Sequence, residues 1–458
     1  MKKRFFIIFL LLSFVLTSGA SCQFLEDPAK DPGRSITLKY WRVFEGRDAF
    51  NKIIDRYNKR HPNIHIKYRK LRYDNYREEL LNAMAEDKGP DIFSIHNTWM
   101  NEYKSKISPM PETVTIGRLV TKGTVKKETV LEQRTKDTMG LKDLENKFID
   151  VVYDDVVMNN NRRQKKIYGL PFSVDTLALY YNKDLLNNAG IINPPQYWDR
   201  EFQKTVKKLT KQDSKGKIIQ SGVAMGGGDN IERATDILSV LMMQNGATMM
   251  TEGKNVTFHK SSGEGYNPGL EALRFYTDFA NPAKEVYCWN DSLDDSLKMF
   301  MEGKAAMMFG YSYHLPTIKS QAPKLNFNIS KLPQINNSSR KVNYANYWVE
   351  VVSQKSSEKD AAWDFLSFAT QKDQAKTYLE KTNKPTALRS LIEEQKESKE
   401  IGVFAEQLLT AKSWYQGYDP LVMEKIMKEM IGEANKNPKN LGTIIERGAE
   451  RVQQTSYK

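Results

Sequence analysis

Ile36-Thr37-Leu38-Lys39-Tyr40-Trp41 alternates apolar and polar side chains, the period-two pattern of a half-buried strand. Apolar residues at helical spacing follow, at Phe50, Ile53, Ile54 and Tyr57, and His61-Pro62-Asn63 stops that helix. Ile64-His65-Ile66-Lys67-Tyr68 alternates again. Asp74 or Asn75 can cap a second helix whose apolar face is Tyr76, Leu80, Leu81 and Met84, and Gly89-Pro90 breaks it. Asp91-Ile92-Phe93-Ser94-Ile95 is a third strand. A β-α-β-α-β order implies right-handed crossovers and a parallel sheet with helices on both faces. In such sheets ligands bind beyond the carboxyl ends of the strands.

Further along, residues 112–147 are polar with weak apolar period and read as a long insertion or partly ordered excursion. Leu144, Phe148, Val151 and Val152 start another helix. Ile167 to Tyr181 is mainly extended, and Leu177-Ala178-Leu179-Tyr180-Tyr181 is its clearest strand. Helices are expected from Trp198 to Leu209, Ala234 to Gln244, Pro268 to Phe279, Lys359 to Thr370, Gln371 to Thr382 and Leu421 to Ala434. Ala305 to Phe309, Phe327 to Leu332 and Tyr344 to Ser353 read as strands. There is no internal repeat.

Before all of this stands a different kind of segment. Lys2, Lys3 and Arg4 are followed by an apolar run from Phe5 to Leu16, then by Thr17-Ser18-Gly19-Ala20-Ser21 and Cys22. A charged start, an apolar run too short to span a bilayer and a small-residue cleavage zone make an export signal over 1–21. With Cys22 it resembles the bacterial lipoprotein signal, in which that cysteine carries lipid, although Gly19 stands where leucine is usual. Residues 22–35, with two prolines and several charges, read as a tether.

The 437 residues that remain are enough for two or three domains, each with its own core. Net charge is 69 − 56 = +13, and about +10 without the three signal cations. The positives are spread among many acids, with no arginine-rich arm, so a solvated charged surface is expected and nucleic acid is an unlikely partner. If Cys22 carries lipid, Cys288 has no partner for a disulfide and reads as a buried filler.

The order of residues resembles the extracellular solute-binding proteins of ABC importers, in the class whose members bind maltodextrins and other sugars. Five stretches carry the resemblance: Ile36 to Trp41 with His61-Pro62-Asn63; Gly89 to Phe93; Tyr168-Gly169-Leu170-Pro171-Phe172-Ser173-Val174-Asp175 through Leu185; Phe300-Met301-Glu302-Gly303-Lys304-Ala305-Ala306 through Gly310; and Ala361 to Phe368. It implies an α/β fold of the type II periplasmic-binding-protein kind. Two lobes, each a mainly parallel sheet flanked by helices, would hold ligand between them. Carried onto this chain, lobe one is 36–172 with 343–410, and lobe two is 173–342 with 411–458. The stretch 112–147 departs from the simplest family pattern.

A sugar presents apolar C–H faces and a ring of hydroxyls, so its site needs aromatic platforms and planar polar groups. Trp41 and Phe44 follow the first strand, and Asn97 and Trp99 the third, where a switch-point crevice would lie. The resemblance adds Asp175 as a carboxylate accepting from ligand hydroxyls. It adds Asp229 and Asn230 in the glycine-rich loop Gly226-Gly227-Gly228 as a flexible ligand-facing element. It also adds Tyr311 and Tyr313, then Trp414 with Tyr415 and Tyr418, at two places for stacking aromatics. Trp348 belongs either to the ligand or to hinge packing. Trp41 and Trp99 also suit a core, and Asp175 a brace at the hinge. The glycine run lacks the spacing and the Lys-Ser/Thr of a phosphate loop.

The five histidines are scattered, and no H-E-x-x-H, C-x-x-C or G-x-S-x-G occurs, so neither an enzyme, a metal site nor a cofactor is expected. The expectation is a lipid-anchored receptor at the outer face of the cytoplasmic membrane. It would close on a small solute, most simply a saccharide, and deliver it to the permease subunits of an ABC transporter. The other reading is a surface adhesion or scavenging protein that holds anionic polymers without transport.

Overall fold

A computed structural model describes residues 34–457 apart from Val125 and Glu264. The signal segment, Cys22 and the tether up to residue 33 lie outside the described residues. Strand β1 (Ile36–Val43) pairs in parallel with β2 (Ile64–Leu71) and with β3 (Ile92–His96). The β1–β2 crossover is helix α1 (Asn51–Arg60), which buries Ile53, Ile54 and Tyr57 as the spacing predicts. The β2–β3 crossover is α2 (Tyr73–Ala85), which buries Tyr76, Leu80 and Met84. Its cap differs from expectation. The helix begins at Tyr73 behind Arg72 without a side-chain cap, so Asp74 lies in the first turn, where a carboxylate suits the helix dipole. Two antiparallel strands complete this sheet, Trp348–Ser353 beside β3 and Ile107–Ser108 at the edge.

A second sheet has the order Met307–Gly310, Ala178–Asn182, Phe327–Ser330. Both pairings are antiparallel, against the expected parallel sheet. The central strand joins its neighbours across long connections, and the parallel links nearby are the isolated bridges Tyr197↔Gln334 and Ser221↔Ala305. The helices Ala234–Gln244, Pro268–Asp278, Pro420–Lys436 and Leu441–Gln454 pack together alongside. The first of these has nearly every residue buried, because it runs through the interior.

Buried apolar side chains fall into two clusters. One spans Leu38 to Val174 and resumes from Ala345 to Ala411. The other spans Leu177 to Tyr344 and resumes from Trp414 to Val452, with Ile401 and Phe404 as outliers. The chain therefore changes core at three places, and those places pair with one another. Asn343–Asn346 lies parallel to Ala411–Lys412 and antiparallel to Asp175–Thr176. Cys288 sits wholly inside the second core, its thiol against the Val223 carbonyl, and burial pushes its pKa up to about 12.

Gly169 shows why the Tyr168–Phe172 segment reads as it does. Its backbone bridges to the strand Trp348–Ser353 through Leu170↔Glu350, and a Cβ at Gly169 would stand 2.3 Å from Val349 Cγ1. The stretch 112–147, read as a long insertion or partly ordered excursion, is a regular insertion. Thr113–Lys122 and Glu128–Asp137 form a ten-pair hairpin, then Leu141–Lys147 is helical. Its apolar signal is weak because in the ribbon only Val114, Ile116 and Gly117 are buried, while the remaining residues are exposed or half-buried.

Candidate functional site

Rings from the first core gather at the carboxyl ends of its strands. Phe44, one residue past β1, stacks on Tyr73 at 5.7 Å, and Trp348 meets Phe44, Tyr73, His96 and Trp99 edge-on at 5.4–6.2 Å. Phe44 holds φ +68°, a left-handed conformation that turns the chain sharply out of β1. Phe44 and Tyr73 are about half exposed, so this ring group has an open face.

The second core presents charge and phenol. Arg233, at φ +63° before the helix Ala234–Gln244, donates to Asp236 at 2.7–2.8 Å and lies 3.9 Å from Glu424. The Tyr311 hydroxyl donates to Asp236 at 2.6 Å, and Tyr313 stacks on Tyr311 at 5.5 Å with its ring 42% exposed. The Trp414 indole donates to Ser239 at 3.1 Å on the same helix. A strained backbone at a charged residue with two acidic neighbours is the kind of feature that gathers at binding sites.

The two groups meet at His96, the member of the ring group that lines the crevice, and Tyr73 stands within electrostatic reach of Glu424 and Arg233. His96 and Thr98 from the first core line one crevice with Arg233, Asp236, Tyr344, Trp414 and Glu424 from the second. Its volume is about 10 Å³, room for a single water, so the walls are closed on one another. Burial, helped by the Arg233 charge, pushes the His96 pKa down to about 4, so the imidazole is neutral at pH 7. Across the crevice Lys254 donates to Asn101 at 3.0 Å, with its ammonium 4.2 Å from the Tyr418 ring.

Two carboxylates brace the places where the chain changes core. Asp175 accepts from the Ser312 amide and hydroxyl at 2.9 and 2.6 Å. Asp155 accepts from Asn97 at 3.0 Å and Tyr347 at 2.7 Å, and from Ser413. Burial raises both pKa values to about 6 against these hydrogen bonds.

Of the residues picked from sequence, the structure brings together Phe44, Trp99 and Trp348 on one wall, and Tyr311, Tyr313 and Trp414 on the other. Tyr418 stands at the Lys254 contact, and Asp175 is a brace attached to Ser312. Asn97 spends its amide on Asp155. Trp41 does not join the rings; it packs in the first core under the Arg69 guanidinium at 4.8 Å. The glycine-rich loop is buried rather than flexible. A Cβ at Gly228 would meet the Lys428 carbonyl at 2.8 Å. Asn230 is consumed by the Asn290 and Leu293 carbonyls and the Trp289 indole, while Asp229 is exposed beside it. Sequence reading passed over Tyr73, His96, Arg233, Asp236, Tyr344 and Glu424. Tyr73 had a signal, since it follows the second strand as Trp41 and Asn97 follow the first and third. Arg233 had none, because its position depends on a positive φ.

Residues 45–376 match the model of the family described as bacterial extracellular solute-binding protein, more than half the chain. The chain belongs to that family. Its relatives are substrate-binding proteins rather than enzymes. The galactooligosaccharide-binding protein of Bacillus subtilis is 24% identical over 84% of this chain and 80% of its own length. The maltodextrin-binding protein of the same organism is 30% identical over 50% of this chain and 53% of its own. The chain thus spans about half the length of several curated relatives it matches. In fold, a solute-binding protein from Thermotoga lettingae bound to α-D-tagatose superposes with a TM-score of 0.65 at 20% identity, covering 92% of this chain and all of that one. The family is extracellular, so the solute-binding protein is exported. No helix among the described residues is long and apolar enough to cross a membrane, and no group of three or more His, Cys, Asp or Glu among them is placed to hold a metal ion.

Proposed function

We propose that this solute-binding protein captures a neutral saccharide between two lobes and passes it to the permease of an ABC transporter. One observation carries the reading: partly exposed rings from one core face paired polar groups from the other across three mutually paired crossings. Phe44, Tyr73, Trp348 and Tyr313 supply stacking faces for C–H surfaces. Arg233, Asp236 and Glu424 supply directional donors and acceptors. Arg233 is already answered by Asp236, and His96 is neutral, so nothing in the crevice calls for an anionic solute. The names of the Bacillus subtilis relatives point the same way.

The lobes are residues 36–172 with 343–410 and 173–342 with 411–458, hinged at the three crossings. With the crevice at about 10 Å³, the walls part to admit solute and close again on it, a ligand-biased hinge motion. Cys22 carries the lipid that holds the receptor beside its permease, and mass spectrometry of the mature N-terminus tests this. For the ligand, thermal shift with maltodextrins and galactooligosaccharides is decisive. A saccharide at about 100 times its Kd adds about 2.7 kcal/mol of stability. A folded sample that responds to neither series, nor to monosaccharides, overturns the saccharide reading.

A further inference from the structure

The hairpin over 113–137 takes no part in the crevice. It lies on the helix Lys359–Ala369, and a pocket of about 220 Å³ remains beneath it. Val114 pairs with Lys136, Ile116 with Arg134 and Arg118 with Glu132, so these side chains share one face of the ribbon, and Glu132 is held by Lys122. Val114 and Ile116 anchor that face to the body. Arg118, Arg134 and Lys136 line the pocket, and Arg60 of α1 lines it from below, its guanidinium 4.9 Å over the Phe368 ring.

The pocket floor is buried and its carboxylate is already ion-paired. Asp364, 1% exposed, accepts from the Tyr57 hydroxyl at 2.8 Å and pairs with Lys136. His61 holds the Gly117 carbonyl at 2.7 Å, which ties floor to hairpin. Burial, with the Lys136 and Arg118 charges, lowers the His61 pKa. Among the described residues no carboxylate lies within ion-pair distance of Arg60, Arg118 or Arg134. Four cations and one acid line the pocket, 4 − 1 = +3 with His61 neutral.

We propose that this pocket is a second binding site, for a phosphate group, independent of the crevice between the cores. Guanidinium forks match the oxygens of a tetrahedral oxyanion in pairs. Three free forks outnumber what a carboxylate's two oxygens satisfy, whereas a phosphate dianion meets them. The phosphate comes either as the free inorganic ion or as a unit of a polyanionic chain. A neighbouring pocket of about 450 Å³ shares Lys136 and Gln371, but its own Lys147 and Lys372 are offset by Asp137 and Asp143, so the cationic seat is the smaller pocket.

The test uses the mature chain in low salt, titrated calorimetrically with inorganic phosphate, long-chain polyphosphate and polyglutamate. Arg118→Gln with Arg134→Gln weakens phosphate binding by about tenfold per guanidinium removed and leaves the thermal midpoint unchanged, since neither arginine has a bond to lose. Arg233→Gln, in the crevice, leaves phosphate binding intact. Binding of inorganic phosphate with no gain for the polymer identifies the free ion. Much tighter polymer binding with a steep salt dependence identifies the chain. No binding of either phosphate probe, equal binding by the double variant, or polyglutamate binding as tightly as polyphosphate overturns the proposal. In a salt series on the unmodified chain, phosphate affinity that does not fall with ionic strength overturns it too, without any variant.

Discussion

The two walls of the crevice are built on opposite principles. The first core sends rings to the crevice and keeps its charges inside. Glu350, wholly buried, accepts from Tyr40 at 2.8 Å and Ser94 at 2.7 Å and holds Arg42 at 3.0 Å, while Arg42 lies over Phe50, Phe172 and Tyr378. The second core has an apolar interior and sends its charges, Arg233, Asp236 and Glu424, to the crevice. Rings give contact area with little demand on direction, whereas paired charges give direction with little area. A solute held between them is gripped from one side and oriented from the other.

Glu350→Ala tests the deepest part of this contrast and has the largest expected effect. It removes the nearer of the two carboxylates that hold Arg42 and leaves Glu45 at 3.4 Å, at a cost of about 3 kcal/mol by denaturant unfolding. A loss under about 1 kcal/mol would mean that the rings of the first wall do not rest on that pair. Trp348→Ala comes next. Trp348 touches Phe44, Tyr73, Tyr76, His96 and Trp99, so its removal opens the ring group and weakens saccharide binding by about 2 kcal/mol, roughly thirtyfold. Arg233→Ala is milder, about tenfold in affinity. Its loss should differ among saccharides more than that of Trp348→Ala, because it removes orientation rather than area. Equal losses across a saccharide panel for both variants would erase the distinction between the walls.

The parallel part of the first sheet was legible in the sequence because the start of β1, the helix α1 and the strand β2 each bury one clean face: Leu38 and Tyr40, then Ile53, Ile54 and Tyr57, then Ile64 and Ile66. For the second sheet the parallel order came from the family resemblance, and the residues could not correct it because Ala178–Asn182 is buried on both faces and shows no alternation from which to judge its neighbours. The hairpin was missed for the opposite reason, since little of it is buried at all. At the site, rings could be found at strand ends by position alone. Charges could not, because Arg233, Asp236 and Glu424 come from two helix starts about 190 residues apart in the chain, and only the fold brings them together.

Acidity separates the walls from the crossings. Asp155 and Asp175 have folded pKa values of about 6 against an ordinary 3.8, so the folded state holds their protons more tightly. Their contribution to stability is full below pH 3.8 and is lost as pH rises through about 6. His96 runs the other way. Its pKa falls from 6.5 to about 4, so its contribution is full above pH 6.5 and is lost as pH falls through about 4. Between pH 4 and 6 the terms oppose one another. Asp175→Asn removes one of the two falling terms and makes the pH slope of the thermal midpoint less negative, whereas His96→Gln removes the rising term and makes it more negative. A midpoint whose pH slope is the same in both variants would show that neither group is held in the environment described.

The smallest effect belongs to the contact between the walls themselves. Lys254 reaches Asn101 at 3.0 Å across the crevice, and both side chains meet solvent nearby. A part-buried hydrogen bond of this kind is worth about 1 kcal/mol, so Lys254→Ala should lower folding stability only slightly. Its effect should instead fall on rates. With the crevice too small for a solute, association has to wait for the walls to part, and every contact that holds them together slows that step. Lys254→Ala is therefore expected to raise the saccharide association rate by a few-fold in stopped-flow fluorescence, with Trp348 as the reporter. An unchanged association rate would mean that opening is governed by the three crossings and not by the walls.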